Sequence, residues 1–187
     1  MITQFKKISL LSSILLFPFM ALAQKMDKPQ IDKFTNDTTY FTTTEKIVGN
    51  KGSLASSAEN IEAYLSNNKG DIKLHLKVEL TVFDHGFFRI SQGNNVLVKL
   101  SDNTIITLSN IAAVESKREG IGPRITGRLC WTAEVACALS PDVISKISSS
   151  TITTIRVEAD GQNLDFDVKG KDSGIIKKMI GLIEASR

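Results

Sequence analysis

The chain has 187 residues, of which 42% are hydrophobic and 23% charged, the composition of an ordinary globular protein with one core. The net charge is +3, and there are only two histidines and two cysteines. Neither His-x-x-x-His nor Cys-x-x-Cys occurs, which argues against a zinc site or a Cys-x-x-Cys redox centre.

Residues 1–23 read as a signal peptide. Lys6 and Lys7 form a basic start, Ile8 to Met20 is an apolar run, and Ala21-Leu22-Ala23 is a small-x-small cleavage site before Gln24. The run is short for a membrane span, and no cysteine lies near the cleavage site to carry a lipid. The expected product is a soluble exported protein, periplasmic or extracellular, with no transmembrane anchor. Cleavage removes two lysines and no acids, lowering the charge to +1. No electrostatic case for nucleic acid survives that change.

Residues 24–37 are polar and read as a flexible arm, ahead of a single domain over 38–187. Thr38 to Val48, rich in Thr, Tyr and Phe, reads as a first strand. Residues 49–70 are ambiguous: Ser57 to Leu65 suits a short helix, ended by Asn67-Asn68-Lys69-Gly70. Asp71 to Phe83 is the clearest strand. Ile72, Leu74, Leu76, Val78, Leu80 and Val82 alternate with Lys73, His75, Lys77, Glu79 and Thr81, predicting one buried and one wet face.

Phe87 to Gln92, Val96 to Leu100 and Thr104 to Leu108 read as further strands, turned at Gly93-Asn94 and Asp102-Asn103. The last two carry apolar residues on both faces, Leu97 with Leu108 and Val98 with Leu100 and Ile105, as in strands covered on both sides. Ala112 to Ser116 is a shorter strand, and Lys117 to Gly127 a loop. Glu134 to Leu139 returns as a strand. An exported pair, Cys130 and Cys137, suggests a disulfide, facing across a turn at Ala133-Glu134, although Ala-Glu suits such a turn poorly. A loop so short adds about 2 kcal/mol when closed.

The last 48 residues are the most legible. Ser140-Pro141-Asp142 starts a helix whose Val143, Ile144 and Ile147 share a face. Asp160-Gly161 turns a hairpin in which both central residues take positive φ. Its register pairs Val157 with Leu164, Ile155 with Phe166, Arg156 with Asp165 and Thr154 with Asp167. Asp172 or Ser173 caps a second helix with a stripe of Ile175, Ile176, Met179, Ile180, Leu182 and Ile183. Gly181 inside it suggests close packing against a neighbour. The fold expected is α+β: a mainly antiparallel sheet of consecutive hairpins, with two helices from the C-terminal third packed on it.

His75 sits on the wet face of its strand and His85 in a turn. There is no Gly-x-Ser-x-Gly elbow, so a histidine hydrolase is not indicated. Asp165 and Asp167 face Arg156 and Thr154, a salt-bridged surface in preference to a calcium site. Glu79, Asp84 and Glu115 are not placed by their spacing as a glycosidase pair. The cluster without an internal explanation is Lys117, Arg118, Arg124 and Arg128, among glycines and just before Trp131, the only tryptophan. Guanidinium groups and exposed amides suit an anionic group, and an indole suits a sugar or a partner anchor. Arg118, Arg124, Arg128 and Trp131 are therefore the candidate ligand-binding residues. Thr38, in Asp37-Thr38-Thr39, resembles the Asp-Thr sites at which some exported bacterial proteins receive O-glycans. Asn36-Asp37-Thr38 also fits an N-glycan acceptor.

Asp37-Thr-Thr-Tyr-Phe-Thr42, the Val98 to Leu108 hairpin, the Ser140 helix and Ile155-Arg-Val157 with its Asp-Gly turn are jointly similar to a group of small uncharacterised exported proteins of Gram-negative bacteria. That resemblance covers most of the mature chain and implies a secreted or periplasmic α+β domain, with no catalytic residues to transfer. The expectation is a non-enzymatic binding or interaction domain of the cell envelope, with a protein or glycan partner and no cofactor. The alternatives are a carboxylate-based enzyme acting on envelope material and a structural subunit of an envelope assembly.

Overall fold

A computed structural model describes residues 25–49, 58–82, 87–119 and 129–186. The leader read over residues 1–23 lies outside them. The architecture of the described residues is α+β, with a seven-stranded and a four-stranded antiparallel sheet, a two-stranded ribbon and two helices around one apolar cluster.

The larger sheet is built on β4 (Ala58–Asn68) and β5 (Asp71–Val82), which pair along their whole length. On the other flank of β5 lies β11 (Leu129–Ala138), followed by the edge strand β10 (Lys117–Glu119). On the far side of β4 two short strands share one flank: β2 (Thr38–Phe41), which also pairs β1 (Gln30–Ile31), and β3 (Glu45–Gly49). The first strand read over 38–48 is thus broken at Thr42. There the buried hydroxyl accepts the Leu65 N–H at 2.9 Å while the Thr42 N–H donates to the Leu65 carbonyl at 3.0 Å. The segment read as an arm lies beside this flank: the Asp27 N–H bonds Phe41 O and the Thr43 N–H bonds Lys25 O, each at 2.9 Å.

Of the helix expected over Ser57 to Leu65, residues 58–65 are instead part of β4, and Ser57 lies outside the described residues. Ile61, Ala63 and Leu65 are fully buried, a period of two that the small Ala63 hides from a hydrophobicity count. An eleven-residue ladder with β5 overrides weak helical propensity. The hairpin closes through Lys69-Gly70, both at positive φ (52° and 94°), the geometry of a type I′ turn.

The smaller sheet runs β13 (Gln162–Asp167), β12 (Ile152–Ala159), β7 (Asn95–Leu100), β8 (Ile105–Ser109). The β12–β13 register pairs Val157 with Leu164, Ile155 with Phe166, Arg156 with Asp165 and Thr154 with Asp167, as the sequence pattern requires. The turn differs, because only Gly161 has positive φ (82°). Asp160 is held from outside: its carboxylate accepts from Ser91 Oγ at 2.8 Å and Asn94 Nδ2 at 2.9 Å.

In β7 and β8 the faces also differ from expectation. Val96 lies opposite Leu108 and Val98 opposite Ile106, so these four share the core face, with Leu97 and Ile105 outside. Ile105 is 61% exposed, so only one face of this hairpin is covered. The strand read from Phe87 reduces to β6 (Arg89–Ile90), which pairs β9 (Val114–Glu115).

The sheets meet at Asn110. Its buried amide donates to Ile90 O at 3.4 Å, to Ser91 O at 3.2 Å and to Ala112 O. Asn110 also bridges Cys137, and the next N–H, of Ile111, bonds Ala136 O at 3.0 Å.

Helix α1 (Pro141–Ser149) starts as expected, with Ser140 Oγ accepting the Val143 N–H at 3.3 Å and Lys146 bonding Asp142 at 2.7 Å. Helix α2 (Ile175–Ala185) packs on β4 and on α1, burying Ile176, Met179, Ile180 and Ile183. Its cap is Gly174, with no side-chain hydrogen bond. Asp172 contributes its carbonyl to the Ile175 N–H, and Ser173 Oγ turns back to Gly170 O, so neither expected cap serves.

Gly181 is exposed, and a Cβ there would meet nothing within 4 Å, so it is not a close-packing site. Gly181→Ala is therefore expected to raise stability by about 1 kcal/mol. Urea unfolding measures this, and an unchanged or lower midpoint would contradict an open helix surface at that position.

Candidate functional site

Strand pairing decides which candidate residues meet. β10 lies antiparallel to β11 with Arg118 opposite Trp131, so the two side chains share a face at the sheet edge. Part of the expected Lys117 to Gly127 loop is therefore strand. Arg118 is exposed, and Trp131 is half-buried against the core. Phe87 stands edge-on to the indole, with ring centroids 6.0 Å apart at 85°, and is itself 54% exposed. The indole N–H of Trp131 is buried and has no acceptor among the described residues. Arg124 and Arg128 lie outside the described residues. Phe87 went unnoticed in the sequence because it read as the first residue of an ordinary strand.

An exposed phenyl ring against a half-buried indole, beside an exposed guanidinium, suits a sugar ring or an apolar side chain with an adjoining anion. Thr38, the glycan candidate, is half-buried in β2 opposite Ile31.

The disulfide is not formed. Cys130 and Cys137 are both thiols, seven residues apart on the unbroken strand β11, so Ala133-Glu134 is no turn. Extended chain of that length spans roughly 23 Å, far beyond disulfide reach. Cys137 faces the core, and burial pushes its thiol up to about 12.

A second constellation was hidden by the misread strand. Tyr64 on β4 lies opposite His75 on β5, and their rings stack at 4.3 Å and 6°. Ser66 Oγ is 2.9 Å from His75 Nε2, and Glu134 Oε1, from β11, is 3.3 Å from Nδ1. The Tyr64 hydroxyl donates to the same Glu134 oxygen at 2.6 Å. The expected wet-face histidine is thus only 16% exposed.

Ser, His and Glu in this order suggest a nucleophile chain, but the geometry denies it. The tyrosine ring covers the imidazole, Ser66 is buried, and the neighbouring Leu65 N–H is committed to Thr42. Glu134 is close to Nδ1 yet off the line of a hydrogen bond, since that nitrogen has no aligned partner. The cluster is a packed polar layer across three strands.

The carboxylates read as possible acids are dispersed. Glu79 accepts from Asn60 Nδ2 at 2.9 Å, and Glu115 is exposed with Arg89 3.9 Å away. Asp84 and His85 lie outside the described residues. Arg156 holds Asp165 through two hydrogen bonds, and Asp167 takes the Thr154 hydroxyl at 3.5 Å. Among the described residues no three His, Cys, Asp or Glu side chains converge on a metal site, and no helix is long and apolar enough to cross a membrane.

No protein-family model matches the chain, and neither the curated proteins nor the solved structures contain a match.

Burial lowers the pKa of His75, against the opposing pull of Glu134, while burial and the bond to Glu134 hold Tyr64 above its ordinary range. A histidine depressed in the fold binds fewer protons there than in the unfolded chain. Its contribution is complete above about pH 6.5 and is lost as pH falls through the folded value. Urea stability between about pH 7.5 and about pH 5 should fall more steeply in the native protein than in His75→Gln. Equal slopes would contradict a buried neutral imidazole.

Proposed function

We propose that the chain is a non-enzymatic exported binding domain of the cell envelope, taking a glycan or protein partner on the Phe87–Trp131–Arg118 surface. The observation that carries this reading is the Phe87–Trp131 pair, with Phe87 exposed beside the half-buried indole and an exposed arginine opposite it. Other polar groups of the described sheets bond one another, as in the Tyr64–Glu134, Ser66–His75 and Arg156–Asp165 contacts. The leader over residues 1–23 supplies the route to the envelope.

A subunit of an envelope assembly is a second reading, favoured by one observation: the uncharged edge strand β8. A carboxylate enzyme has no such support, because Glu79 and Glu115 each have a structural partner.

A glycan array and an extract of envelope proteins, each probed with the protein and with Phe87→Ala and Arg118→Ala, test the reading. Both side chains are more than half exposed or at the surface, so the variants should fold. The expected result is retention of a partner by the native protein and a loss of about tenfold or more in either variant. A partner retained equally by all three places recognition elsewhere, and no retained partner under any condition rejects the proposal.

A further inference from the structure

Strands at the margins of a sheet carry unpaired backbone groups, and soluble proteins blunt them with charge, proline, bulges or brevity. Nearly every such strand here is protected. β1 has two residues and follows Pro29. β3 carries Glu45 and Lys46 and a register shift between Lys46 and Val48. β10 reads Lys-Arg-Glu, and β13 carries Asp165 and Asp167. β6 and β9 have two residues each. Among the described strands β8 alone has none of these devices: Ile-Ile-Thr-Leu-Ser holds no charge, proline or glycine, and its register with β7 is unbroken.

The direction of its free groups follows from the ladder. Leu100 N–H bonds Thr104 O and Asn110 N–H bonds Asn94 O, each at 2.9 Å, at the two ends of one register. Antiparallel hydrogen-bonded pairs alternate with non-bonded ones, so Ile106 and Leu108 also point their N–H and C=O toward β7. Those of Ile105 and Thr107 point outward. The Ile111 N–H, of the same parity, confirms the direction by reaching Ala136 O on β11. Beyond Asn110 the edge is therefore occupied, and the free stretch is centred on Ile106.

We infer that β8 is a self-association edge, at which a second copy of this chain pairs antiparallel about a twofold axis at Ile106. Ile105 of each copy then lies opposite Thr107 of the other, and the two pairs exchange four backbone hydrogen bonds. Pairing residues of equal parity keeps Ile106, 5% exposed, on the core side and Ile105, 61% exposed, on the outer side in both copies. Flanking pairs are Thr104 with Leu108 and Asn103 with Ser109, so no charge of one copy faces a charge of the other. A second copy therefore pairs with this edge without burying a charge, as a strand carrying Lys, Arg, Asp or Glu would not. On the outer face Leu97 and Ile105 line a hollow of about 180 Å³ together with Lys99, Thr154, Arg156 and Asp165, and the second copy brings Thr107 up to its Ile105 rim. The two four-stranded sheets become one of eight strands. So short a ladder gives a weak, concentration-dependent dimer. This association is independent of whatever the Trp131 surface takes.

Sedimentation equilibrium across the micromolar range tests it, with Thr107→Pro and Ile105→Lys as variants. Proline at 107 removes an outward N–H and leaves the β7 ladder intact, and lysine is the usual edge protector. The native protein should show a monomer–dimer equilibrium, and each variant should raise its dissociation constant about tenfold or more. Urea midpoints of the variants verify folding, and Ile105→Lys stands as the test should the proline variant unfold. A native protein that stays monomeric throughout, a monomer that takes up a foreign extended strand along β8, or a dimer that Ile105→Lys leaves intact would overturn it.

Discussion

Strand β5 is the constraint on which the rest depends. It is flanked by β4 and β11 along its length, so its inner residues can face only one way. Ile72, Leu74, Leu76, Val78 and Leu80 are at most 8% exposed, and each such burial is worth about 1.5–3 kcal/mol. A one-residue slip would send all of them outward. Both neighbours must then offer small or apolar residues on that side, which Ile61, Ala63, Leu65, Ala133, Val135 and Cys137 do. The smaller sheet and both helices close over this face to complete the core.

The same constraint shapes the opposite face. Lys73, His75, Lys77 and Glu79 are forced outward, yet none is fully exposed; Tyr64 stacks on His75 and Asn60 bonds Glu79 from the flanking strand β4. Tyr64 spans His75 to reach Glu134 two strands away, which turns an alternating polar row into a packed layer. The layer uses histidine, serine and glutamate for cohesion between strands.

Legibility in the sequence followed the locality of the determining interactions. The β12–β13 hairpin was readable to the residue because apolar and charged partners lie within a short turn of one another, and a slip would break both matches at once. Ser140 was readable because capping is local. Ser57 to Leu65 was not, since the ladder to β5 decides it and Ala63 blurs the period. The thiols were misplaced for a related reason: a continuous β11 is dictated by β5, not by the Ala133-Glu134 dipeptide. For the β7–β8 pair, Ile105 looked like a core residue because sequence shows that a strand is apolar and not that one face lacks a cover. At the candidate site, Arg118 and Trp131 stood out by composition. Their adjacency and the part played by Phe87 required the strand pairing.

Trp131 is the only tryptophan and lies between Phe87 and Arg118 on the surface proposed for recognition, so its fluorescence reports on that surface directly. The decisive measurement is its emission while envelope glycans or proteins that the protein retains are titrated in. Recognition at this site predicts a saturable change in emission intensity or wavelength that tracks binding and disappears in Arg118→Ala. Saturable binding with an unchanged Trp131 spectrum would contradict it.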